Sequence, residues 1–338
     1  MRGVMLALLA IGGLTLLGLL LGFIAWGAVF GSGDEVRTLR WGGEDRLYRL
    51  HKPAGLDASR PAPLVLVLHG GGSNGRQTEF LTLNAWNELA AREGFLVAYP
   101  DGVGSRWNDG RADPKPPRTQ PRSAAERESS WAVQAPRRSA DDVGFISALI
   151  DRLASEFNVD RGRVFSTGIS NGAMMSFRLG CELSDKIAAI GPVAGAMPEP
   201  LMSSCAPSRP VSIVALSGVL DPLVPYAGGE VGIARRSFGK VAPVPDSLRL
   251  WARLNGCPSE PATALEPDRD PGDGTRVTRH AWLPCREASE VVLYTIDGGG
   301  HTWPGGVQYL PPFIIGRTSR DVDATEVIWE FFKAHGRP

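Results

Sequence analysis

The pattern Gly-x-Ser-x-Gly occurs twice in this chain, as Gly71-Gly72-Ser73-Asn74-Gly75 and as Gly168-Ile169-Ser170-Asn171-Gly172. Small residues on both sides of a serine let a strand turn abruptly into a helix and leave the hydroxyl exposed at the turn, where it can attack a carbonyl. One reaction uses one such nucleophile, so the flanking residues must separate the copies. Ser170 follows the strand-like run Val164-Phe165-Ser166-Thr167, and a helical pattern runs on from Asn171 to Leu183. Ser73 is followed by the polar stretch Asn74-Gly75-Arg76-Gln77 and preceded by His69-Gly70-Gly71-Gly72. Glycines in that position let backbone N–H groups approach a substrate oxygen with no Cβ in the way. Ser170 is therefore expected to attack. The first copy is expected to hold the oxyanion through the N–H of Gly71 or Gly72, together with that of Asn171.

A serine hydroxyl is a weak nucleophile until a base takes its proton, and the base needs an acid to fix its tautomer. Of the five histidines, His69 belongs to the glycine loop, His51 precedes the expected sheet, His280 lies in a strand pattern and His335 stands three residues from the end. His301 remains, in the glycine-bounded stretch Asp297-Gly-Gly-Gly-His301-Thr-Trp-Pro-Gly-Gly306 after the strand-like Val291–Ile296. The acid is expected in Ser217-Gly-Val-Leu-Asp221, after the strand-like Val211–Leu216. Asp297 is a rival at the end of a strand, and Asp246 reads as the start of a helix. Asp142 reads as a helix cap rather than a catalytic acid. Trp303, two residues past the base, is a candidate wall for the acyl or alcohol group of a substrate.

The elements that must position these residues follow from hydrophobic pattern. Continuous apolar runs at Pro63–Leu68 and Phe95–Tyr99 suit central strands covered on both faces. One helical pattern runs through Phe80, Leu83, Trp86, Leu89 and Ala90, and another follows Asp141-Asp142. Strands alternating with helices predict a mostly parallel sheet with helices on both faces. The order Ser170, Asp221, His301 is the order of the α/β-hydrolase fold. Residues 103–138 are rich in proline, arginine and serine and read as a long surface insertion, with Trp107 and Trp131 as its ends.

Several of these stretches together resemble the polyhydroxybutyrate depolymerase and feruloyl esterase family of α/β-hydrolases. They are Leu68-His-Gly-Gly71, Tyr99-Pro-Asp-Gly102, Trp107-Asn108, Asp141-Asp-Val-Gly-Phe145, Gly168-Ile-Ser-Asn-Gly172, Ile187-Ala-Ala-Ile190 and Gly300-His-Thr-Trp-Pro-Gly305. The resemblance covers most of the chain from Pro63 to Gly306. It implies exported carboxylester hydrolases with a triad on Ser170, Asp221 and His301, acting on polyesters or on feruloyl or acetyl esters, without metal or organic cofactor. A serine peptidase or acyltransferase, or a binding module that has lost its chemistry, is the alternative on the same fold. The family's usual His-Gly-Thr-x-Asp is replaced here by Ser217-Gly-Val-Leu-Asp221.

Charge and cysteine usage bear on where such a protein works. The 36 basic and 36 acidic residues balance, so no excess of positive charge seeks nucleic acid. Val4–Phe30 is nearly all apolar and carries no charge. Its length fits a membrane span of about 20 residues better than a signal-peptide core of about 7–15, and either one exports the domain that follows, residues 34–338. The expectation is an anchor retained over residues 1–33, with a cleaved signal peptide as the alternative. Four cysteines permit three pairings; neighbours in sequence, Cys181 with Cys205 and Cys257 with Cys285, are the simplest, and the resemblance implies similar bridges.

Overall fold

The computed structural model describes residues 34–111, 140–233 and 236–337. The apolar N-terminal run lies outside the described residues, as do Trp131 and most of the Arg/Pro-rich stretch. The chain divides into the units Met1–Glu35 and Val36–Pro338, and Ser170, Asp221 and His301 all belong to the second. Among the described residues no helix is long and apolar enough to cross a membrane.

The strands of the main sheet are β1 (Glu35–Trp41), β2 (Glu44–His51), β3 (Ala62–Leu68), β4 (Leu96–Pro100), β5 (Val159–Ile169), β6 (Ala189–Val193), β7 (Ser212–Gly218), β10 (Ala262–Leu265), β11 (Arg276–Trp282) and β12 (Val291–Asp297). A separate hairpin joins β8 (Gly229–Ile233) to β9 (Arg236–Val241). The ten strands of the sheet run in the order β1-β2-β4-β3-β5-β6-β7-β12-β11-β10. From β4 to β12 the neighbours are parallel, while β2, β11 and β10 add antiparallel pairings outside them. This is the α/β-hydrolase architecture.

Strand β3 shows why the sheet lies where it does. Leu64, Leu66 and Leu68 face one apolar cluster, and Val65 and Val67 face the other. Alternate side chains of a strand point to opposite faces, so an unbroken apolar run must be covered twice. Two helices near the N-terminal side of the chain, α1 (Gly75–Leu81) and α2 (Ala85–Glu93), follow β3. The first face is covered by α3 (Asp142–Glu156), α4 (Asn171–Glu182) and α5 (Val244–Leu254). The second is covered by α2 and α6 (Ala324–Ala334), where Phe165 stacks on Phe332 at 4.6 Å and Phe95 on Trp329 at 3.9 Å. Bridges join Cys181 to Cys205 and Cys257 to Cys285, the neighbour pairing.

Two elements differ from the sequence expectation. The helical pattern through Phe80 and Ala90 is two helices, α1 and α2, because Leu83 and Asn84 adopt positive φ of 55° and 62°. A left-handed pair ends one helix and re-aims the next, and periodicity alone does not register it. The start of the surface insertion is not all surface: Arg106, Trp107 and Asp109 are buried, while Gly104 and Ser105 before them are exposed.

Candidate active site

The sheet brings Ser170, Asp221 and His301 to the carboxyl ends of β5, β7 and β12, the edge where parallel α/β sheets present reactive groups. Hydrogen bonds across the strand ends fix that edge. Ser170 N–H donates to Val193 O at 3.0 Å, Ala194 N–H to Leu216 O at 2.9 Å and Val219 N–H to Ile296 O at 3.0 Å.

Ser170 sits at φ 59°, ψ −119°, immediately before the first residue of α4. A non-glycine residue held there costs about 1–3 kcal/mol and persists only where the surroundings over-determine it. The flanking glycines supply that constraint. A Cβ on Gly168 would lie 2.5 Å from Leu68 O, and one on Gly172 would lie 2.3 Å from the same oxygen. Only glycine at both positions lets β3, β5 and α4 converge closely enough to hold the serine on its turn.

The glycine loop lies against this turn. A Cβ on Gly70 would stand 3.5 Å from Ser170 Cβ, and one on Gly71 would stand 3.8 Å from Asn171 Cβ. Gly72, the alternative to Gly71 as an oxyanion donor, spends its N–H on Ser105 O at 2.8 Å and is not available. The N–H groups of Gly71 and Asn171 donate to no group among the described residues. Asn171 is the first residue of its helix, so its N–H has no acceptor within that helix.

His301 and Asp221 are both buried, and His301 Nδ1 lies 2.7 Å from Asp221 Oδ2. The carboxylate accepts at that distance, which puts the proton on Nδ1 and leaves Nε2 with its lone pair. Asp221 Oδ1 accepts from the N–H groups of Leu223 and Val224, both at 2.8 Å, so its orientation is set by backbone. The replaced residues of the acid loop do not disturb this. Gly218 keeps the loop against the histidine loop, since a Cβ there would meet Gly299 O and Gly300 O at 2.5 Å. Ser170 Oγ and His301 form no hydrogen bond in this structure; in unliganded hydrolases that bond is often long and tightens around substrate.

A layer of polar groups behind the site was not legible as such. His69 is fully buried, with Nε2 accepting from Gly102 N–H at 2.9 Å and Nδ1 set 2.7 Å from Gly70 O. Burial pushes its pKa below the ordinary 6.5, so the ring braces the glycine loop as a neutral tautomer. The Asn171 side chain accepts from Trp107 N–H at 2.8 Å and donates to Trp107 O at 3.1 Å and to Asp109 Oδ2 at 2.6 Å. Asp109 in turn pairs with Arg111 at 2.7 Å. The sequence placed His69 in the glycine loop and Trp107-Asn108 among the family stretches, but gave no sign that Asp109 and Arg111 join them.

Two expected roles are corrected. Asp141, not Asp142, caps α3, accepting from Gly144 N–H at 2.8 Å. Asp142 is buried, 2.7 Å from Arg46 Nη2, and accepts from Asn108 N–H at 2.7 Å; burial raises its pKa while Arg46 opposes the rise. Trp303 is no substrate wall. Its indole is buried in the second core cluster and donates from Nε1 to Thr325 Oγ1 at 3.0 Å.

A serine on a strained strand–helix turn, a buried His–carboxylate pair and two unspent N–H groups on one edge of a parallel sheet define the class of α/β-hydrolases. No family model matches the chain. It is 31% identical over 296 residues to the "Putative esterase NocK" of Nocardia uniformis subsp. tsuyamanensis, covering 86% of this chain and 79% of that protein. It is 29% identical over 255 residues to Feruloyl esterase B of Piromyces equi, covering 74% of this chain but only 41% of that longer one. Among solved structures, an acetyl xylan esterase from Aspergillus awamori superposes with a TM-score of 0.53 at 15% identity, covering 89% of this chain and 99% of that one. The chain belongs to the esterase family of the Nocardia relative, and it is a carboxylic ester hydrolase.

Proposed function

We propose that the protein hydrolyses carboxylic esters through an acyl-enzyme on Ser170, with His301 as base and Asp221 as its orienting acid. The observation that carries this reading is the buried 2.7 Å contact of His301 Nδ1 with Asp221, which leaves Nε2 free at the edge where Ser170 is presented. His301 takes the Ser170 proton as Oγ attacks the ester carbonyl. The N–H groups of Gly71 and Asn171 receive the oxyanion, aided by the positive end of α4. His301 then protonates the leaving alcohol and activates the water that releases the acid. Residues 34–338 act as the catalytic domain in this reading.

The names of the relatives point to feruloyl or acetyl esters, and the motif resemblance adds polyhydroxybutyrate-type polyesters as substrates of the same chemistry. Two disulfides fit an oxidising compartment, and the uncharged N-terminal run fits export. Retention of residues 1–33 as an anchor is part of the proposal. Fractionation is expected to find full-length protein in membranes after carbonate washing; soluble mature protein beginning near Ala28 refutes the anchor alone.

The catalytic reading is tested with a fluorophosphonate probe and a panel of p-nitrophenyl acyl esters and methyl ferulate. Wild type is expected to take one label, on Ser170, and to lose panel activity on labelling. A labelled protein with full activity, or a label mapped to Ser73, overturns the assignment.

A further inference from the structure

Ten large apolar side chains are exposed among the described residues, and five of them, Leu220, Tyr309, Leu310, Phe313 and Ile314, belong to two segments beside the His301–Asp221 pair. Phe313 is 88% exposed and Leu220 65%. Single exposed apolar residues are ordinary, whereas a cluster at a functional site marks a surface that something covers.

The two segments are fastened to the histidine itself. His301 N–H donates to Ile315 O at 2.6 Å, and the Tyr309 hydroxyl donates to His301 O at 2.9 Å. Gln308 closes the strap on itself: its Nε2 donates to Leu310 O at 2.7 Å and Gly316 O at 3.0 Å, and its Oε1 accepts from Thr318 N–H at 2.9 Å. Leu220 N–H donates to Gly299 O at 2.9 Å, and Leu220 O lies 3.5 Å from where a Cβ on Gly316 would stand. Burial, with the Asp221 charge adding to it, pushes the Tyr309 phenol above its ordinary range, so the phenol stays a donor throughout the working pH range. The apolar tips are thus carried on backbone that is itself hydrogen-bonded, not on a free loop.

The occupant follows from what His301 does in the proposed reaction, on which this inference rests. The imidazole delivers its proton to the leaving oxygen, so the group on that oxygen departs past the base. Beside Asn171, by contrast, the neighbouring side chains are the buried polar pair Asp109 and Arg111, which offer no exposed apolar surface. We propose that Leu220, Leu310, Phe313 and Ile314 form a subsite for the alcohol portion of the ester, and that this portion is apolar or aromatic. The strap's outward residues Leu310, Pro311, Pro312 and Phe313 offer such a group contact area and few side-chain hydrogen bonds, the reverse of what a bare sugar alcohol requires.

The test measures kcat/KM of the full chain on acetates whose alkyl alcohols lengthen from ethyl to hexyl, beside ethyl esters whose acyl chains lengthen equally. Wild type is expected to prefer hexyl over ethyl acetate by about fivefold, the worth of partly covering the added methylenes. The double variant Leu310→Ser/Phe313→Ser brings that ratio close to one, and Leu220→Ser, on the separate loop, lowers it independently. Both sets of side chains are exposed, and circular dichroism checks that the variants are folded. A ratio unchanged in both variants overturns the subsite, as does a wild-type preference that follows acyl length and ignores the alcohol. Ser170→Ala measured on the same series separates the two ideas. Retained turnover there refutes the acyl-enzyme reading, whereas lost turnover there, with the wild-type ratio unmoved by the surface variants, refutes the subsite alone.

Discussion

The two Ser-Asn-Gly copies are identical in sequence and differ in where the helix begins. In the first, helix α1 starts at the glycine, and Asn74 caps it by accepting from Gln77 N–H at 3.0 Å. Ser73 is left in a turn, its N–H donating to Gly70 O. In the second, helix α4 starts one residue earlier, at the asparagine, and Ser170 occupies the cap position at φ 59° without capping anything. That single-residue offset leaves the Ser170 side chain out of the capping role, as the proposed attack requires, and gives the other copy's asparagine to a helix end. A tripeptide carries chemistry only through the point at which the helix takes over.

The comparison breaks most sharply at the serines. Ser170→Ala is expected to lower ester turnover by on the order of 10⁵- to 10⁶-fold, as loss of a triad nucleophile does, measured by steady-state kinetics. Ser73→Ala is expected to change it by less than about twofold, because backbone and not side chain acts there. Equal losses from both erase the distinction.

The asparagines are next. Asn171→Ala leaves the buried Trp107 N–H and C=O without these partners and takes one donor from the Asp109 carboxylate, and is expected to cost about 3 kcal/mol in urea unfolding together with a fall in turnover. Asn74→Ala removes a helix cap and is expected to cost about 1 kcal/mol with kcat unchanged. Similar effects from the two would mean that the asparagines share one role.

The smallest effect separates the copies by pH. His69 supports the first copy, and burial holds its folded pKa below 6.5. Above 6.5 neither state binds the proton and the contribution to stability is complete. As pH falls below 6.5 the unfolded chain takes a proton that the folded ring resists, so stability declines, by at most about 1.4 kcal/mol per pH unit for this one group. His69→Gln is expected to flatten that slope in urea midpoints measured from pH 7.5 to 5.0. An unchanged slope assigns the decline to other groups.

The positions of Ser170, Asp221 and His301 were legible because each follows an apolar strand and stands among glycines, a local signal. The layer behind them was not, because its logic is long-range. Asp109 and Arg111 look like solvated loop residues in sequence, and partners distant in the chain, the Asn171 amide on Asp109 and the Arg178 guanidinium on Asn108 O, hold their stretch against α4. Trp303 misled for the converse reason: proximity to His301 in sequence suggested a shared surface, whereas its side chain turns into the core toward Thr325. The β8–β9 hairpin, rich in glycine and charge, carries no apolar alternation strong enough to announce strands.

Asn108 ties the two sides of the Arg/Pro-rich stretch together. Its Nδ2 donates to Ala140 O at 3.0 Å while its N–H donates to Asp142, and Arg111 is pinned by Asp109. The chain leaving at 111 and returning at 140 is therefore anchored at both ends independently of what lies between. Doubling the length of a loop between fixed ends costs only about 0.6 kcal/mol in closure entropy. The fold thus contains a graft point beside the candidate site, where the length between 111 and 140 can change over evolutionary time while the geometry of Ser170, Asp221 and His301 described above is carried by bonds among residues 34–111 and 140–337.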